Sequence, residues 1–214
     1  MPSSEVVLIV AATRSMGIGV NGSMPWTGLR KEMQYFARVT SRPPPASSPP
    51  INAVIMGRKT WDSIPPSYRP LRNRANIVVT RDAPANNVPL PDAASPDQPL
   101  RLASYAQAIA YATRCYARVY VIGGAQIYAA ALAHASPAPS RILLTSIQRD
   151  FDCDVFFPLA LGTAEADAMG WRRASPEALE EWTGETVAEG GQHEAGIDYE
   201  FQMWEREHCK TSLV

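Results

Sequence analysis

Val6-Val7-Leu8-Ile9-Val10-Ala11-Ala12 is an unbroken apolar run of strand length. A strand with no polar alternation must be covered on both faces, as central strands of parallel sheets are. Residues 52–56, 75–80, 119–122 and 142–147 repeat that character, and helical patterns over residues 104–114 and 125–134 lie between strands. Alternating strands and helices give an α/β sheet with parallel pairs. Residues 171–174, 185–187 and 199–205 read instead as strands without intervening helices, an antiparallel extension. Proline-rich stretches near 42–50 and 83–99 are expected as surface loops, because proline lacks a backbone donor and fixes φ. A length of 214 residues fits a single domain over 1–214.

A formal net charge of -1 leaves no basic surplus for neutralising phosphates in bulk, so the expected partner is a small molecule and not a nucleic acid. The run at 6–12 is too short to cross a bilayer, and the residues before it include Glu5 but no Lys or Arg. No membrane partner is expected, and the expected compartment is the cytoplasm. Cys115, Cys153 and Cys209 are an odd number at wide spacings with no C-x-x-C pair, which fits reducing surroundings. His134, His193 and His208 show no H-E-x-x-H spacing, and no metal is expected.

Several segments carry chemistry. Gly17-Ile18-Gly19-Val20-Asn21-Gly22 fits G-x-G-x-x-G after a strand, but Pro25 follows where a Rossmann helix should open, so a mobile glycine loop is the better reading. Gly57-Arg58-Lys59-Thr60 lacks the upstream glycine of a P-loop; it is either a solvated basic turn or a phosphate-attracting helix start. Thr27 is a plausible N-cap for a helix running to about Val39. Leu29, Met33 and Phe36 share one apolar face of that helix, and Glu32 falls on the same face. Such a carboxylate either complements the helix dipole or pairs with a nearby Lys or Arg, or else is buried and meets a partner. Gly123-Gly124, between a strand and a helix, allow close packing or close approach of a ligand. Thr145 is a hydroxyl in an apolar strand and needs a partner if buried.

In order, these segments resemble dihydrofolate reductase over nearly the whole chain. The motifs are Met16-Gly17-Ile18-Gly19 with Met24-Pro25-Trp26, then Leu29-Arg30-Lys31-Glu32-Met33-Gln34-Tyr35-Phe36. Val54-Ile55-Met56-Gly57-Arg58-Lys59-Thr60-Trp61 with Ser63-Ile64-Pro65 follows, then Ile122-Gly123-Gly124 and Phe151-Asp152-Cys153-Asp154-Val155-Phe156-Phe157-Pro158. The resemblance is to eukaryotic, fungal-type members. It implies a three-layer fold: an eight-stranded mixed sheet with an antiparallel C-terminal extension, flanked by four helices.

The resemblance also implies a site. Glu32 matches the family's acidic pterin ligand, with Trp26, Met24 and Thr145 beside it in the catalytic set and Thr145 bracing the carboxylate. Ile9, Val10, Phe36, Ile64, Leu71 and Ile122 match the apolar walls, and Arg74 the cation for the α-carboxylate of the folate tail. For NADPH, Arg58, Thr80 and Arg81 match contacts to the 2′-phosphate. Lys59, Thr60, Gly123, Gly124, Ala125 and Gln126 match the pyrophosphate region, Ala11, Ile18 and Tyr128 the nicotinamide side, and Gly19, Gly57 and Ile127 further cofactor contacts. The implied reaction is hydride transfer from NADPH to 7,8-dihydrofolate, giving tetrahydrofolate for one-carbon metabolism and thymidylate synthesis. Water carries the proton to N5 in this reading. Antifolate binding and a monomeric state are further expectations. Met24, where leucine is common, and Ala103, where some relatives have a basic group, depart from the pattern. The alternatives are a pyrimidine reductase of riboflavin synthesis and a catalytically silent NADPH-binding module.

Overall fold

A computed structural model describes residues 4–83 and 98–207. The centre of the molecule is one mixed sheet. Its strands are β1 (Glu5–Thr13), β3 (Asn52–Gly57), β4 (Arg74–Val79), β5 (Leu100–Leu102), β6 (Arg118–Gly123), β7 (Arg141–Ile147), β9 (Trp171–Arg173), β10 (Gln192–Glu194) and β11 (Ile197–Arg206). Eight of them follow the order β10-β11-β7-β1-β6-β3-β4-β5, the width implied by the resemblance. β9 pairs with the opposite end of the same β11 edge that β10 occupies. Pairing is parallel from β7 through β5 and antiparallel around β11. A separate two-stranded ladder joins β2 (Gly17–Gly19) to β8 (Val155–Phe156).

The apolar run at the start of the chain is buried on both sides, as its composition requires. Val6, Leu8, Val10 and Ala12 of β1 face a core shared with α3 (Tyr105–Cys115), α4 (Ala125–Leu132) and α5 (Ala164–Ala168). Val7 and Ile9 face the other core, with α1 (Arg30–Ser41), α2 (Arg58–Ser63) and α6 (Pro176–Thr183). Each residue step along the strand reverses the face, so one segment supplies both layers. None of the helices among the described residues is long and apolar enough to cross a membrane.

Several expectations need correcting. The described residues hold six α-helices, not four: α5 and α6 are additional and lie in the C-terminal part read as purely extended. Ser175 caps α6 by accepting from the Ala178 N–H, Pro176 fills the first turn, and Gly184 ends it in the left-handed region at φ 68. Residues 185–187 are not a strand, because Glu185 turns back to α1. Its carboxylate accepts from Arg38 Nε at 2.8 Å and Arg42 Nη2 at 3.1 Å. Residues 42–51 form no helix or strand, in line with the loop reading. Most of the 83–99 stretch, His208 and Cys209 lie outside the described residues.

Glu185 is nearly buried while both arginines are about half exposed. Glu185→Ala should therefore lower the unfolding free energy by about 1–2 kcal/mol in urea titration, the range for hydrogen bonds to a charged group discounted for exposure. An unchanged midpoint would show that the tie contributes nothing.

Candidate active site

α1 begins later than its sequence suggests. Gly28 has φ +84, which interrupts the chain after Thr27, and the helix starts at Arg30 with Leu29 in the cap position and no side-chain cap of its own. Thr27 is therefore not the N-cap. The helix is held on the sheet by Tyr35, whose ring stacks on Phe201 of β11 at 3.9 Å between centroids. Leu29 is buried, Phe36 half-buried and Met33 exposed, so the expected apolar face is only partly covered by the protein's own core.

One turn before Tyr35, Glu32 is 7% exposed. Its Oε1 accepts a hydrogen bond from Thr145 Oγ1 of β7 at 3.2 Å, and no cation pairs with it among the described residues. The cation-pairing reading thus gives way to burial, while Glu32 does lie in the first turn of α1 as the helix-dipole reading expects. Desolvation pushes the carboxyl up to about 7, the Thr145 hydroxyl opposes that shift, and the Glu194 charge adds to it. Trp26 is buried nearby in sequence, its ring edge-on to Phe151 at 5.8 Å, and its Nε1 has no hydrogen-bond partner among the described residues.

Around this carboxylate the same core carries incompletely covered apolar residues: Ala11, Phe36, Ile64, Leu71 and Ile122, with Ile9 beneath them. Val10 points to the opposite core, as strand alternation requires, and so does not share this wall. Met24 and Met33 are two of the four large apolar side chains exposed among the described residues. Met33 lies on the apolar helix face expected from the sequence, and its exposure on the Glu32 helix makes it a candidate apolar contact. Partly covered apolar walls with a few fixed polar groups are the usual composition of a small-molecule cleft.

Arg74, at the start of β4, is 5% exposed yet forms no ion pair among the described residues. Nη1 donates to Ala37 O at 3.3 Å and to Thr40 Oγ1, the guanidinium lies 5.6 Å from the Phe36 ring centroid, and Nε has no partner. Burial lowers its pKa to about 10, still well above neutral pH, so it stays cationic. A buried cation without an anion is an anion-ready group.

The second half of the candidate set gathers at the carboxyl ends of β3, β4 and β6, where ligands bind in open α/β sheets. Gly57 and Gly124 cap α2 and α4 with no side-chain cap, leaving the first N–H groups open. A Cβ on Gly57 would stand 3.2 Å from Ile127, and one on Gly124 3.3 Å from Thr60 Oγ1. Gly123 has φ +109, and a Cβ there would lie 3.0 Å from the Tyr128 ring. Tyr128 in turn donates to Ile9 O at 2.7 Å, linking this edge to β1. Lys59 and Arg81 are exposed and make no ion pair among the described residues.

Two members of this set are otherwise engaged. Arg58 pairs with Asp62 at 2.9 Å, and Thr80 is buried with its Oγ1 accepting from the Asp82 N–H. Gly17-Ile18-Gly19 is not a bare loop but β2, paired to β8, followed by a tight turn bridging Val20 and Ser23. Ile18 packs partly buried against the β1 core, and a Cβ on Gly19 would stand 3.3 Å from Ser23 O.

The chain matches the family described as dihydrofolate reductase over residues 5–206. It is 44% identical over 205 residues to the dihydrofolate reductase of Pneumocystis carinii, covering 95% of this chain and 97% of that one. Identity to the dihydrofolate reductase of Cryptococcus neoformans is 37% over 221 residues, covering 94% of each. For the Mus musculus dihydrofolate reductase it is 36% over 200 residues, covering 92% of this chain and 95% of that one.

The raised Glu32 pKa has a consequence for stability. Between pH 4.5 and about 7 the folded chain holds a proton that the unfolded chain has released, so this group's contribution to stability falls as pH rises through that window. Glu32→Gln abolishes the fall. In urea unfolding the variant should gain about 3 kcal/mol on the parent between pH 4 and pH 8, the free energy of a shift of this size. A difference between variant and parent that does not change with pH contradicts the burial argument.

Proposed function

The chain belongs to the dihydrofolate reductase family, of eukaryotic and fungal-like type, and on that premise we propose that it acts as a single catalytic domain reducing 7,8-dihydrofolate to 5,6,7,8-tetrahydrofolate with NADPH. The observation that carries this reading is the buried Glu32, whose carboxylate has only a hydroxyl for a partner among the described residues. A carboxylate in that state is suited to a flat heterocycle that offers two adjacent N–H donors, since these hydrogen bonds restore what desolvation removed. The 2-amino group and neighbouring N–H of a pterin are such a pair. The apolar walls at Ile9, Phe36, Ile64, Leu71 and Ile122 exclude water around the ring, and Trp26 Nε1 offers a buried donor beside it. Arg74 takes the α-carboxylate of the glutamyl tail, and the anion then neutralises the buried guanidinium.

The open helix starts after Gly57 and Gly124, with Lys59 and Arg81 nearby, fit the phosphates of a dinucleotide. Bound there, NADPH would supply the hydride for C6 of the substrate. The chain's own part is orientation and electrostatics. Glu32 fixes which face and edge of the ring is presented, Thr145 fixes Glu32, and water delivers the proton to N5. The exposed Arg81 just after β4 is the cation suited to a 2′-phosphate and favours NADPH over NADH. Work in one-carbon metabolism and thymidylate synthesis, in the cytoplasm and as a monomer, and sensitivity to antifolates, follow as parts of this proposal.

Glu32→Gln should lower turnover of dihydrofolate by orders of magnitude while circular dichroism stays that of the parent, and near-normal turnover would overturn its role. Arg74→Leu should raise KM for dihydrofolate about 10- to 100-fold, the range for a charged hydrogen bond. A dihydropterin without the glutamyl tail should be turned over equally well by parent and variant; an equal loss on both substrates would contradict the assignment.

A further inference from the structure

The N-terminus of α1, which presents Glu32, is capped from the other end of the chain. Glu194 Oε2 accepts from the Lys31 N–H at 2.9 Å, 163 positions away in sequence, and also from the Tyr199 hydroxyl at 3.2 Å. β10 and β11 are joined by a two-residue turn, Ala195-Gly196, both with positive φ, the geometry of a tight hairpin. The tip of that hairpin lies against the turn before α1: a Cβ on Gly28 would stand 3.1 Å from Ala195 Cβ. Two contacts thus fix one short hairpin on the start of one helix, and the Tyr199 hydroxyl holds Glu194 within the hairpin.

We propose that Glu194 is a positioning residue for Glu32: its carboxylate accepts from the Lys31 N–H, fixes the first turn of α1 that presents Glu32, and stands as a second carboxylate beside the pterin ligand. The proposal rests on Glu32 being that ligand. A free helix N-terminus favours the ionised form of a carboxylate in its first turn. Glu194 occupies that terminus and opposes the effect.

The other groups around Glu32 do not supply such a charge. Thr145 from β7 donates a hydrogen bond, and Tyr35 of α1, Tyr128 of α4 and Tyr199 of β11 are all held in the neutral phenol form by burial. Arg30 and Lys31, next to it on α1, are exposed. Glu194 is also the charged neighbour that raises the Glu32 pKa.

The test compares Glu194→Gln, which keeps an oxygen for the Lys31 N–H and removes the charge, with Glu194→Ala, which removes both. The readout is NMR titration of carboxyl-labelled glutamates in the full chain without ligand, with the Glu32 signal identified by its loss in Glu32→Gln. In the Gln variant the Glu32 midpoint should fall by about half a pH unit or more, as expected for a nearby partly exposed charge, while the unfolding temperature stays near that of the parent. The Ala variant should show the same fall together with a lower unfolding temperature, and it carries the test if the Gln variant does not fold. A midpoint equal to the parent's in either folded variant reduces Glu194 to a helix cap and overturns the proposal. Dihydrofolate turnover by the parent chain tests the underlying reading separately: its absence beside a shifted midpoint would sink that reading and leave the coupling between the two carboxylates standing.

Discussion

A carboxylate kept out of water by the fold, with one hydroxyl to hold it, is the constraint on which the rest of the site depends. Burial of Glu32 opposes folding at neutral pH, and neither ion pairing nor metal ligation among the described residues offsets it. What keeps the side chain in place is the packing of its helix. Tyr35 stacks on Phe201, Leu29 and Val39 enter the core, and the β10–β11 hairpin closes over the first turn. The free energy comes from apolar burial elsewhere on α1, and the carboxylate, held by the Thr145 hydroxyl, keeps acceptor capacity available to a ligand.

The same logic recurs at Arg74 and at the two glycine-capped helix starts. Each is a polar group that the fold leaves incompletely partnered: a buried guanidinium without an anion, and backbone N–H groups without a cap. Strand order places the two glycine-capped starts together, while Arg74 stands at the amino end of β4. β3, β4 and β6 are parallel neighbours, so their carboxyl ends and the helices that follow them open on one edge, and β1 brings Ile9 and Ala11 to the same region.

Legibility in the sequence varied with the range of the interaction involved. The five parallel-sheet runs could be read because burial on both faces removes polar alternation, and Ser104 before α3 marks its start by accepting from the Gln107 N–H. Glu32 stood out because a carboxylate on an apolar face conflicts with its surroundings, and such conflicts mark functional positions. The C-terminal helices were missed although Ser175-Pro176 and Gly184 bracket α6 with ordinary start and stop signals, and Thr163 caps α5. The start of α1 was not legible at all. Its cap is Glu194, from a hairpin at the far end of the chain, and no local pattern around Thr27 could have disclosed that. Two other misses were local: Asp62 stands four positions after Arg58 on one helix, and Val10 alternates across β1 from Ile9.

The central claim is that Glu32 is buried in order to receive ring N–H donors. Titrating the carboxyl-labelled Glu32 with and without saturating folate tests it most directly. The account requires a midpoint near 7 in the free chain and a fall well below that in the complex, because donors to the charged form stabilise it. A midpoint that stays in place when folate binds would place the heterocycle elsewhere and contradict the account.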